Sequence, residues 1–143
     1  MVQKDKFIGT WRLESWLESD NHGNMFCPLK EDISGFLTFS PKNYTVVISG
    51  IEPELFKTLS DRNSFDHKHR SDLFCTILFH HGEYIFSHHE LIYKIQCSNH
   101  HLWKGSHFHR YFKLIEQNRL QTSTPPVMKD GAKYISNLMW IRD

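Results

Sequence analysis

Between Leu102 and Pro126 the chain reads LWKGSHFHRYFKLIEQNRLQTSTPP, two runs of alternating side chains joined by the polar turn Glu116-Gln117-Asn118. Strict alternation is the signature of strands with one buried face, and the runs Ser106–Leu114 and Arg119–Thr124 are read as a hairpin. One class of the first strand is Phe108, Arg110, Phe112 and Leu114; the other is His107, His109, Tyr111 and Lys113. The first class is the apolar one and is assigned to the interior, which carries Arg110 inward. A cation aimed into an apolar interior needs a carboxylate, an aromatic face or a bound ligand.

The same period recurs along the chain. Phe7–Glu18 opens with Trp11, Leu13 and Ser15 on one face and Arg12, Glu14 and Trp16 on the other. Met25–Pro28 is a short extended piece, followed by a loop at Leu29–Ser34. Gly35–Ser40 and Tyr44–Ser49 flank Pro41-Lys42-Asn43, with Pro and Asn placed as a tight turn prefers them. Glu83–Phe86 and Leu91–Cys97 flank Ser87–Glu90, with Leu91, Tyr93, Ile95 and Cys97 on one apolar face. Tyr134–Arg142 closes the chain, its facing divided between Leu138, Trp140, Arg142 and Ile135, Met139, Ile141. In the middle the period changes. Pro53 suits a first helical turn leading into Leu55, Phe56 and Leu59. Ser71-Asp72 can cap a second helix through Leu73, Phe74, Ile77 and Leu78, with Gly82 as its end. The expected fold is all-β: about eight antiparallel strands closing into an up-and-down barrel, one domain over residues 1–143, with a helical insertion at about residues 52–81.

Composition narrows the function. A net charge of +1 spread without a basic stripe gives no footprint for nucleic acid. The first residues lack the apolar core of a signal peptide, and no apolar run is long enough to span a bilayer as a helix. Cys27, Cys75 and Cys97 are widely spaced and odd in number, which fits reduced thiols better than a disulfide scaffold. A soluble, cytoplasmic protein is expected, with no nucleic-acid or membrane partner and with a homodimer left open.

Several blocks taken in order resemble the bacterial and fungal lipocalin-like domain family. Gly9-Thr10-Trp11-Arg12-Leu13-Glu14-Ser15 is similar to its opening GTW-x-L-x-S. Cys27-Pro28-Leu29-Lys30-Glu31-Asp32 with Gly35-Phe36-Leu37-Thr38-Phe39 is similar to a YPLGED-like loop and G-x-L-x-Y, and Ser40-Pro41-Lys42-Asn43-Tyr44 to T-P-D-G-Y. Trp103-Lys104-Gly105, Arg110-Tyr111-Phe112, Leu120-Gln121-Thr122-Ser123-Thr124-Pro125-Pro126 and Leu138-Met139-Trp140-Ile141-Arg142 follow as W-x-G, R-x-F, L-x-L-x-T-P-P and L-x-W-x-R. The resemblance implies a calycin-type barrel around a largely apolar cavity, and no single activity. Some such domains accompany natural-product pathways, where barrels of this kind bind or cyclise reactive intermediates. This chain departs from the pattern at Lys30 and Asn43, which replace glycines, and at Cys27, which replaces an aromatic. Relatives often carry His on the strand before W-x-G, where this chain has Tyr93, so any proton transfer resting on that His would run differently here.

The candidate site follows. Arg110 would grip an oxygen of the ligand by a bidentate contact, or else serve as a structural cation stacked on an aromatic such as Trp11. Tyr93 is the candidate general acid, or else a wall residue. Trp11, Ser15, Phe39, Tyr44, Trp103, Phe108, Thr122, Thr124 and Trp140 are candidate ligand-binding residues; the aromatics among them can equally fill a core. Arg142, in phase with Trp140, is read as structural. The function expected is binding of a small apolar molecule (aromatic, polyketide-like or acyl), with cofactor-independent cyclisation or isomerisation as the enzymatic form. No cofactor and no metal are assigned. Two alternatives stand beside it. The 11 histidines, with three HH pairs and His107-Phe108-His109, could mark a metal- or haem-binding barrel, although His107 and His109 fall on the outward class. A barrel filled by its own side chains would be a non-catalytic interaction module.

Overall fold

The computed structural model describes residues 4–26, 33–50, 77–129 and 131–142. Its strands are β1 (Gly9–Asp20), β2 (Met25–Phe26), β3 (Ser34–Phe39), β4 (Asn43–Ser49), β5 (Ile77–Ser87), β6 (Glu90–Ser98), β7 (His107–Ile115), β8 (Arg119–Ser123), β9 (Val127–Lys129) and β10 (Ala132–Arg142). They form one sheet in the order β2-β1-β3-β4-β5-β6-β7-β8-β10-β9, and β1 also pairs with β10. That last pairing closes the sheet. With β2 and β9 as short additions, the chain is a closed antiparallel barrel of eight strands. Closure removes the exposed edges that an open sheet would leave. Among the described residues, helical structure is confined to 3-10 turns at Lys4–Lys6 and His101–Trp103.

Burial follows a period of two along these strands. Leu37 and Phe39 on β3, Tyr44, Val46 and Ile48 on β4, Leu91, Tyr93 and Ile95 on β6, and Leu120 and Thr122 on β8 are all buried. On β10 the interior takes Leu138 and Trp140, which settles the divided facing of the last strand. The turn at Pro41 is held by Ser40, whose backbone N–H donates to Asn43 O at 2.8 Å and whose Oγ accepts from Asn43 N at 3.0 Å.

Three expectations are corrected. The second helix does not reach Gly82: Ile77 to Gly82 lie inside β5, paired with β4 from Ile77 opposite Ser49 to Gly82 opposite Tyr44. The first helix, Glu52 to Leu59, and the cap at Ser71-Asp72 lie outside the described residues, as do Cys27 and Cys75. Gly82 marks a bulge rather than a helix end. The β5–β6 register slips between His81 and Gly82, and a Cβ on Gly82 would stand 1.8 Å from Lys94 O. Only a residue without a side chain admits that approach. Beyond the bulge β6 changes phase, so Cys97 leaves the apolar face of Leu91, Tyr93 and Ile95 and is exposed, with a free thiol.

The third correction concerns β1. Its register against β10 slips between Leu13 and Ser15, so Leu13 faces Trp140 while Ser15 faces Met139 and Trp16 faces Leu138. The inward row is therefore Trp11, Leu13, Trp16 and Glu18, not Trp11, Leu13 and Ser15. One extra residue exchanges a serine for a tryptophan on the inner face.

Candidate functional site

The barrel interior has two unlike ends. At one, Phe7, Trp11, Phe39, Tyr84, Phe86 and Phe112 pack together. Phe7 lies tilted against Phe86 at 4.3 Å and meets Phe112 edge-on at 5.5 Å, and Phe39 lies 4.8 Å from Tyr84. Arg142 covers Trp11 with its guanidinium 4.2 Å from the ring. It donates to Ile8 O at 3.0 Å, to Gln117 O at 3.2 Å and to Lys6 O. Trp11 Nε1 donates to Phe7 O at 2.9 Å. Every polar group named here has a partner, and this end is a plug. Trp11 and Phe39 belong to it and do not line the inner cavity. The Trp–arginine contact weighed for Arg110 is made by Arg142, as its phase with Trp140 led one to expect.

Towards the other end lies a cavity of about 60 Å³. Its apolar wall is Val46, Ile48, Leu78 and Leu138; its polar wall is His80, Tyr93, Arg110, Thr122, Thr124 and Ser136, with Trp16 and Trp140 beside them. Of the candidate residues, Arg110, Tyr93, Thr122, Thr124 and Trp140 come together here. Ser15 does not. Tyr44, Trp103 and Phe108 stand one layer away, as neighbours of His80: its ring lies 5.3 Å from Tyr44, 6.3 Å from Trp103 and 5.7 Å from Phe108.

His80 is the functional candidate that the sequence hid. It falls within the helix expected to end at Gly82, yet it is buried on β5 with Nδ1 2.8 Å from the Tyr44 hydroxyl. Burial drives its pKa down to about 3, and the nearby charge of Arg110 pushes the same way. The imidazole is neutral at ordinary pH. Tyr93 packs 4.2 Å from Tyr44 and 5.3 Å from His80. Burial raises the pKa of both tyrosines, more than the neighbouring Arg110 lowers it, so both hydroxyls stay protonated.

Arg110 takes the inward place assigned to it. Its Nη1 donates to His109 O at 2.8 Å, and its guanidinium lies 5.1 Å from the Phe108 ring. Among the described residues no carboxylate stands within salt-bridge distance of it. Glu18, the buried acid of β1, accepts from Ser136 Oγ at 3.3 Å instead. Desolvation lowers the arginine pKa, but a guanidinium remains charged in proteins. The outward histidines behave as their alternation class required: His109 Nδ1 meets Glu90 Oε1 at 2.6 Å on the exposed surface. Among the described residues no three His, Cys, Asp or Glu side chains gather so as to hold a metal.

The family model of the lipocalin-like domain matches residues 8–142. This chain belongs to the lipocalin-like domain family. Membership of that barrel family suggests small-molecule binding by the lipocalin-like domain, and names no ligand or reaction. No curated protein matches the chain. Two solved barrels are similar in structure. One is a redesigned beta barrel, 12% identical, with a TM-score of 0.43 over 97% of this chain and 93% of its own. The other is a de novo designed fluorescence-activating beta barrel, 13% identical, with a TM-score of 0.43 over 99% of this chain and 100% of its own.

Proposed function

We propose that this lipocalin-like domain binds a small, largely apolar molecule, aromatic, polyketide-like or acyl, through an oxygen seated on Arg110. One observation carries the reading. A guanidinium lies inside the barrel with no carboxylate of the described residues to neutralise it. Drawing such a charge even partly out of water carries a desolvation cost, and a protein that keeps one there has a use for it. The cavity is small against the roughly 300–1,000 Å³ of pockets that enclose drug-sized ligands. It suits the oxygen-bearing head group, and the apolar body of the ligand lies beyond that volume.

Where the bound molecule is also converted, the fitting reaction class is cyclisation or isomerisation without a cofactor. Arg110 would hold the oxygen on which negative charge builds. Tyr93, kept protonated by burial, would donate the proton. On this reading Tyr93→Phe retains affinity for a substrate and loses its turnover. Equal turnover in both proteins would remove Tyr93 from the chemistry.

Native mass spectrometry of the purified domain, repeated under denaturing conditions, tests the binding reading. An organic adduct that is released on denaturation is the expected result. The 60 Å³ volume itself favours a second reading, an interaction module whose barrel is filled by its own side chains. A bare chain that also fails to bind any of a panel of apolar acids, ketones and phenols would establish that one.

A further inference from the structure

We propose that the inner cavity is a carboxylate-recognition site in which Arg110 and the Trp16 indole N–H hold the head group of the ligand. The inference rests on the small-molecule reading above and gives it a chemical class. Trp16 reaches the cavity only because of the β1 slip. There its Nε1 is buried with no hydrogen-bond partner among the described residues. Native proteins leave few buried donors unpaired, because each forfeits the hydrogen bonds it made to water. The other two indoles of the interior are satisfied, Trp11 by Phe7 O and Trp140 by Thr122 Oγ1 at 3.0 Å. Trp16 is the exception, and it shares its cavity with the arginine that meets no carboxylate of the described residues.

The hydroxyls point the same way. Thr122 Oγ1 already accepts from Trp140, and Thr124 Oγ1 accepts from Ser136 N at 2.9 Å. Each threonine therefore has its hydroxyl proton left to give. Arg110, Trp16, Thr122 and Thr124 all offer donors, whereas the Glu18 carboxylate is engaged through Ser136. A wall so rich in donors selects a ligand group that only accepts. Both neighbouring tyrosines stay protonated, so neither is an anion that competes for Arg110. One guanidinium, with no second cation among the lining residues, matches a single negative charge. A carboxylate has that charge, only three heavy atoms, and two oxygens spaced for the guanidinium fork. A phosphate dianion would leave one charge uncompensated in an apolar surround.

The indole N–H signals of the full chain in a proton–nitrogen correlation spectrum give a direct readout, with Trp16 assigned by its loss in Trp16→Phe. Acetate and benzoate are titrated at pH 7 against acetamide and benzamide, matched in shape but neutral. The expected result is a saturable downfield shift of the Trp16 indole proton with the carboxylates, at least tenfold tighter than with the amides, while Trp11 and Trp140 stay in place. In Arg110→Gln, checked for an unchanged unfolding transition, the preference for the charged probe disappears. Equal affinity for acids and amides would overturn the carboxylate assignment and leave the container reading standing. Carboxylate shifts that persist in Arg110→Gln would overturn it as well. If neither these four probes nor apolar ketones and phenols move any cavity resonance, both readings fall.

Discussion

Two arginines point into the same barrel, and they are treated in opposite ways. Arg142 lies over Trp11 and donates to the carbonyls of Ile8, Lys6 and Gln117, tying the segment before β1 and the β7–β8 turn to the last strand. Arg110 donates to the carbonyl of its own neighbour, His109, and faces a cavity. At the Arg142 end the rings of Phe7, Tyr84, Phe86 and Phe112 meet edge to face in several pairs. Those around Arg110 include a buried neutral histidine and an indole N–H without a partner among the described residues. One end of the barrel has its polar groups satisfied for stability; the other leaves donors unspent. On the proposed reading, the difference separates the arginine that holds the fold together from the one kept for a ligand.

Substitutions at the plug should give the largest effects. Trp11→Ala removes a fully buried indole and the platform under Arg142, and is expected to destabilise by about 3–5 kcal/mol. Arg142→Met leaves the carbonyl partners to find other donors and should lose about 2–3 kcal/mol. Denaturant midpoints at constant m-value measure both. If either variant unfolds like the parent, the plug is not what closes the barrel. Gly82→Ala comes next. Its methyl would enter the Lys94 carbonyl, so a loss at or above the roughly 1–3 kcal/mol of ordinary overpacking is expected, with the amide signals of β5 and β6 shifting most.

The histidine end answers to pH. Around His80 stand Tyr44 from β4, Tyr93 from β6, and Phe108 and Arg110 from β7. Its pKa falls from 6.5 in the unfolded chain to about 3 in the fold, so the unfolded state binds the proton more readily. The stability that neutral His80 permits is complete above pH 6.5. It is lost as pH falls towards 3, at about 1.4 kcal/mol per unit, or about 2 kcal/mol by pH 5. His80→Gln should flatten that slope. An unchanged slope would mean that His80 opens to solvent before it titrates.

Much of this was legible in the sequence because alternation is a local signal. Phe108, Arg110, Phe112 and Leu114 could be placed inward from β7 alone, and the hairpin at Glu116-Gln117-Asn118 forms where its polarity set it. Two of the misses share one cause: a bulge adds a residue to one strand without marking the sequence. At β1 it put Trp16 inside and took Ser15 off the inner face; at β5–β6 it turned Cys97 outward and made Gly82 look like a helix end. His80 was lost for a different reason. A polar residue in the inward row breaks the apolar alternation, and its partner Tyr44 lies 36 residues away. Sequence periodicity cannot register a hydrogen bond made across strands.

The smallest expected effect tests the central claim most directly. In Arg110→Met a partly buried cation is exchanged for an apolar side chain that can pack against Phe108 and Leu138. If Arg110 is held there for a ligand, the variant should match the parent in stability or exceed it by about 1 kcal/mol, and benzoate should no longer raise its unfolding midpoint. A variant that unfolds about 2 kcal/mol or more below the parent, as Arg142→Met should, would make Arg110 a structural residue and contradict the account.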